Sequence, residues 1–174
     1  NVAAGVFTDT AGNNNTVASE FVWTRDTTPP TLSVVTAIAT PSNDTTPSFV
    51  FSSDQVGTIT STLDFSTSDS AIAGDNTITF TTLGEATYTE KTVTVTDAYG
   101  NASTLTIPDF EIDTTPPTMT IASSTSGVTS GSTTNDVTIA LTFSSSTATD
   151  NLEVTDITVT NGLLSSFTGS GTSY

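Results

Sequence analysis

Residues 92 to 96 read TVTVT, and the strict alternation of Val93 and Val95 with threonine is the pattern of a half-buried β-strand. The same period of two recurs along the chain. Phe49 and Phe51 alternate in PSFVFSS, Ile78 and Phe80 in NTITF, and Val137, Ile139, Leu141 and Phe143 in DVTIALTF, while VTDITVTNG adds a further ribbon from Val154. Clusters of Gly, Asn, Asp and Ser separate these runs at roughly the 8 to 12 residue spacing of a β-sandwich. The pattern predicts an all-β chain. Its expected core is Phe49, Phe51, Ile59, Ile78, Phe80, Tyr88, Val93, Val95, Leu105 and Ile107, with Tyr88 placed to make a corner hydrogen bond. Trp23 alternates with Phe21 in SEFVWTR and is expected in a strand, facing a core.

Two phrases are repeated. DTTPP occupies Asp26 to Pro30 and again Asp113 to Pro117, 87 positions on. TDTAGN at Thr8 to Asn13 and TDAYGN at Thr96 to Asn101 stand upstream of each. D-x-x-G-N reads as a hairpin turn in which Asp caps the turn and Gly takes a positive φ. DTTPP reads as a stiff spacer, because two prolines fix φ and offer no N–H to a sheet. Residues 31–117 then form one complete domain with its spacer. Residues 1–30 hold a turn, a last strand and a spacer, the C-terminal part of a similar domain; residues 118–174 hold the opening strands, the N-terminal part, of another. Such a chain is part of a tandem array, or its copies complete one another's sheets.

Composition sharpens this. Ser and Thr dominate, which disfavours long helices and suits strands. Two basic residues stand against 18 acidic ones, a net charge of −16, which repels nucleic acid and anionic membrane surfaces and makes divalent cations the natural counterions. No apolar run approaches bilayer length, so membrane insertion is not expected. The chain has no Cys and no His, which excludes disulfides, thiol chemistry and the usual bases for a serine nucleophile. A non-enzymatic role is expected.

Together these residues resemble the bacterial immunoglobulin-like repeats of very long surface proteins and adhesins. The segment TPSNDTTPSFVFSSDQVGTI, followed by GDNTITF and ATYTEKTVTVTDAYGNASTLTIPDFEIDTTPPT, is similar to one such repeat type over nearly all of the complete domain. DITVTNGLLSSFTGSGTSY and VAAGVFTDTAGNNNTVASEFVWTRDTTPPT resemble the second and first parts of another type. The resemblance implies tandem immunoglobulin-like β-sandwiches joined by short Pro-rich spacers, an extracellular location at a cell surface or on an appendage, and calcium at domain junctions. Members of the first type often carry two facing cysteines near Asp64 or Phe65 and near Lys91. Lys91 and a carboxylate occupy those places here, which reads either as a charge pair in place of the covalent link or as a solubilising surface lysine.

In a sandwich of this topology the turn between the last two strands and the loop after the second strand lie beside the incoming spacer. Asp26 is therefore expected to approach Asp97, Asn101 and Asp54. Asp113 is expected to approach Asp150, Asn151 and, in a completed neighbouring domain, Asp9 and Asn13. Converging carboxylates with no basic residue nearby call for a cation, and an oxygen-only donor set selects calcium. The competing reading is that these Asp residues only cap turns. The leading function is an extender in a surface fibre or adhesin, whose partners are neighbouring repeats or subunits. The alternatives are a carbohydrate-binding module using Tyr99 and Asp54, and a filament subunit completed by strand addition.

Overall fold

Alternating apolar residues need two sheets to close a core, and the chain supplies them between residues 32 and 112. The computed structural model describes residues 1–174 and contains no α-helix; a 3-10 turn at Val154–Asp156 is its one helical element. The chain divides into two compact units, Asn1–Asp113 and Thr114–Tyr174.

In the first unit, β1 (Leu32–Thr36), β2 (Ser48–Ser53) and β5 (Gly74–Thr79) form an antiparallel sheet in the order β1-β2-β5. A second antiparallel sheet has the order β4-β3-β7-β8, from β3 (Gly57–Ser61), β4 (Ser70–Ala71), β7 (Thr92–Thr96) and β8 (Ala102–Thr106). The short strands β6 (Ala86–Tyr88) and β9 (Phe110–Ile112) pair with each other. Phe49 opposes Ile78 in the first sheet and Ile59 opposes Val95 in the second, and all four side chains are buried in one common core.

Eight of the ten expected core residues are buried, and Tyr88 and Leu105 pack against them half-buried. The Tyr88 hydroxyl donates to the Gly84 carbonyl at 2.9 Å, the expected corner bond, and its ring stacks on Phe110 with centroids 5.0 Å apart. Tyr88→Phe keeps the stacking and removes the bond. It is expected to cost about 1 kcal/mol, read as a lower urea midpoint at unchanged m-value. Lys91 precedes β7 and is half-buried, its carbonyl accepting the Ile107 N–H, and no ion pair joins it to Asp64, so the charge pair expected there is corrected: backbone pairing, not a side-chain bond, joins these segments.

The expected strand at Ser19 to Arg25 is not formed. Phe21 and Trp23 are 87% and 70% exposed, so the core position expected for Trp23 is corrected. The physical reason is that alternation marks a strand's faces but does not supply a pairing partner, and no other strand pairs with this segment.

In the second unit, β10 (Met119–Ser123), β11 (Leu141–Thr149) and β12 (Gly171–Ser173) form one antiparallel sheet, β10-β11-β12. Only the last three residues of DVTIALTF, Leu141 to Phe143, become strand: Phe143 is buried, whereas Val137 and Ile139 are exposed. VTDITVTNG is not a ribbon; it opens with the 3-10 turn, closed by the Glu153 N–H donating to the Asp156 carboxylate at 2.9 Å. Phe143, Phe167 and Tyr174 make a small aromatic cluster anchored by the Tyr174 hydroxyl on the Thr149 carbonyl.

A local register is common to both units. Leu32 faces Ser53 and Val34 faces Phe51 in the first; Met119 faces Ser145 and Ile121 faces Phe143 in the second. Each hairpin begins directly after a DTTPP-Thr segment and carries Phe-Ser-Ser in its second strand.

Candidate functional site

The spacer enters the first unit as a run of carbonyls with few donors, since Pro29 and Pro30 have no N–H. The loop after β2 supplies what is lacking. Gln55 Nε2 donates to the carbonyls of Thr28 and Pro29, both at 3.3 Å. The Thr31 N–H donates to Asp54 Oδ1 at 2.7 Å, and the Asp54 N–H returns a bond to the Thr31 carbonyl at 3.2 Å. Pro30 is fully buried. Upstream, Asp26 closes its own turn by accepting the Thr28 N–H at 2.9 Å.

The second spacer ends the same way. The Thr118 N–H donates to Ser146 Oγ at 2.9 Å, and the Ser146 N–H donates back to the Thr118 carbonyl at 2.9 Å. Thr118 follows DTTPP as Thr31 does, and Ser146 follows Phe-Ser-Ser as Asp54 does. A reciprocal clamp therefore holds the residue after each spacer to the strand next to it.

The two D-x-x-G-N turns are also built alike. Asp97 Oδ1 accepts the N–H groups of Tyr99 at 2.8 Å and Asn101 at 2.9 Å, while Oδ2 accepts Asn101 Nδ2 at 2.8 Å. Asp9 accepts Ala11, Asn13 and Asn13 Nδ2, each at 2.9 Å. Gly100 and Gly12 have φ of 89° and 87°, which reserves the position for glycine. Each Asp thus accepts three donors from its own turn, as the turn-capping reading requires.

These bonds set the electrostatics. The Asn101 side chain, with the N–H groups of the turn, holds the Asp97 carboxyl below its ordinary value. Asn13 does the same for Asp9, and the Thr31 N–H for Asp54. A carboxylate whose folded pKa is depressed stabilises the fold above its unfolded value and loses that contribution as pH falls through the folded one. Stability is therefore expected to be level through neutral pH and to decline on acidification below about 3.8, the unfolded aspartate value. Asp97→Asn should flatten that decline in urea titrations at stepped pH. An unchanged acid limb would show that Asp97 does not contribute to it.

Asp26 and Tyr99 line one shallow surface pocket with Thr24 and Arg25, so the spacer does lie beside the turn between β7 and β8. Asp54 meets the same spacer through Thr31. Arg25 places a cation at this end, so the carboxylates here do have a basic residue nearby, contrary to the expectation from sequence. No group of three or more carboxylates is drawn together. Asp113 closes the first unit, its N–H donating to the Ser42 carbonyl at 2.9 Å; Asp150 and Asn151 belong to the second, exposed just beyond β11. Sequence reasoning missed Gln55 and Thr31. Their signal was a polar pair, Asp54-Gln55, directly after a strand. Comparison with protein-family models, curated proteins and solved structures finds no match.

Proposed function

We propose that the chain is a non-enzymatic extender of an extracellular repeat protein, an adhesin or surface fibre, made of tandem immunoglobulin-like sandwiches. The observation that carries this is the reciprocal clamp recurring after both DTTPP spacers. The first spacer is also hydrogen-bonded to the hairpin that follows it, through Gln55 on the Thr28 and Pro29 carbonyls, and a proline-paired spacer held in this way supports transmission of orientation, which is what an extender must do. The sandwich reading is supported by two antiparallel sheets sharing one core and by the Tyr88 corner bond, a device of such sandwiches. The repeat reading is supported by the register that β1-β2 and β10-β11 share over their first three residue pairs and by the like hydrogen bonding of the two turns.

Calcium belongs to this proposal as a ligand of the spacer end. Asp26, Asp54, Asp97 and Asn101 are oxygen donors at one end of the first unit, the chemistry a hard cation takes. The clamp itself stands without the ion, because backbone N–H groups and Asn101 already serve these carboxylates. Calcium added to EGTA-treated protein is expected to raise the melting temperature of the chain. An unchanged melting temperature and an unchanged maximum dimension in small-angle scattering would retire the calcium part and leave the clamp. A glycan-binding role rests on Tyr99, which is 74% exposed at the pocket with Arg25 and Asp26. Glycan capture by the chain, abolished by Tyr99→Ala, would favour that role over the extender.

A further inference from the structure

Asn161 is the one asparagine of the chain that glycine follows. The two residues stand in an exposed bend between the 3-10 turn and β12, with Asn161 at a φ of 59°, in the left-handed region that asparagine tolerates better than most side chains. Leu163 beside them is 98% exposed. Neither the Asn161 amide nor the Gly162 N–H is tied by a hydrogen bond, and after Ile157 backbone bonding resumes only at Ser170.

The asparagines of the first unit are held in the opposite way. Asn101 donates its Nδ2 to Asp97 at 2.8 Å, and Asn13 donates its own to Asp9 at 2.9 Å. Asn15 donates to the carbonyls of Ala3 and Thr16, both at 2.8 Å, and accepts the Val6 N–H at 2.8 Å. Asn76 is buried within β5 and donates to the Ile72 and Gly74 carbonyls, both at 2.9 Å. Each of these bonds must break before the amide can turn onto the peptide nitrogen that follows it. Asn161 has none to break.

We infer that Asn161-Gly162 is a site of spontaneous covalent modification, at which the chain converts Asn161 to aspartate and isoaspartate. The Gly162 nitrogen, losing its proton to base in solution, bonds to Asn161 Cγ; the Cγ–Nδ2 bond breaks, and the amide leaves as ammonia by taking up a proton. The reacting atoms belong to adjoining residues, so no encounter is needed. Gly162 has no Cβ to obstruct the approach and the widest backbone freedom to make it. Water then opens the five-membered imide. Opening at Cγ gives aspartate, and opening at the main-chain carbonyl gives isoaspartate, whose main chain runs through Cβ and Cγ. One water is consumed and one ammonia released, with no oxidant or reductant. Either product adds a carboxylate to the second unit, which already carries Asp136, Asp150, Glu153 and Asp156 with no basic residue, and so raises its like-charge repulsion. Isoaspartate also lengthens the main chain by one carbon ahead of β12. The site does not depend on the extender reading.

The full chain is kept in mildly alkaline buffer at physiological temperature and cut at intervals on the amino side of aspartate. Fragment 156–174 then holds Asn161 and no other asparagine. It is expected to gain the mass of an NH2-to-OH exchange before the fragments that carry Asn13, Asn15, Asn76 or Asn101. Part of it should be cut again at position 161, where aspartate has formed, and the heavier uncut part should accept a methyl group from an isoaspartyl methyltransferase. Asn161→Gln, which must close a larger ring, should leave the fragment unaltered over the same period. A parallel run in urea reads the part played by the fold: Asn161 should convert at similar rates folded and unfolded, while the held asparagines convert faster once unfolded. A fragment 156–174 that keeps its mass in the folded chain, or gains it only in urea, would overturn the inference.

Discussion

Phe51→Ala is expected to bring the first unit close to unfolding at physiological temperature. The ring is fully buried at the centre of β2, faces Val34 across one strand pair and Asn76 across the other, and lies 6.1 Å from the Phe49 ring. Truncating a buried Phe removes its transfer free energy and leaves a cavity, a loss of about 3 to 5 kcal/mol. Domains of this size hold only about 5 to 15 kcal/mol in total. The check is urea unfolding followed by far-ultraviolet circular dichroism. A midpoint equal to that of the unaltered chain would remove Phe51 from the core of the account.

Gly57→Ala is expected to have the second-largest effect, although it adds one methyl group. A Cβ at Gly57 would lie 2.5 Å from the Thr96 carbonyl oxygen and 2.9 Å from Val95 Cγ1. The carbonyl belongs to β7, and it cannot retreat without disturbing the Thr58 to Thr96 pair that joins the two central strands of the four-stranded sheet. Overpacking of this kind costs about 1 to 3 kcal/mol. Gly84→Ala is the control, because nothing lies within 4 Å of its Cβ position. It should be neutral or stabilising by up to about 1 kcal/mol, through a less flexible unfolded chain. Equal losses for the two variants would mean that glycine's conformational freedom, and not the contact with β7, is what Gly57 supplies.

Local chemistry was the legible part of the sequence. D-x-x-G-N gave its turn twice, because the Asp, the Gly and the Asn act within five residues and need nothing distant. Alternation gave β2 and β5, where Phe49 opposes Ile78, and β7, where Val95 opposes Ile59 of β3. It failed at Ser19 to Arg25 for lack of a partner. It also failed at Phe110 and Ile112, where a three-residue strand is too short to show a period although both side chains are buried. The spacer clamp was half legible. Proline pairs announced a spacer, and Asp54 was expected near it. That Gln55 would serve the Thr28 and Pro29 carbonyls depends on a contact across 26 or 27 positions, which no local pattern encodes.

The central claim, that the spacer passes orientation from one domain to the next, is tested most directly by a distance distribution across the second spacer. The absence of cysteine allows Ser68→Cys and Ser130→Cys, both exposed and one in each unit, to carry the only spin labels. Pulsed electron-spin measurement in dilute solution is expected to give one narrow distance peak. Replacing Asp113 to Pro117 by Gly and Ser residues of equal number, which removes the prolines, should broaden it to that of a flexible coil. Broad distributions of equal width in both chains would contradict the extender.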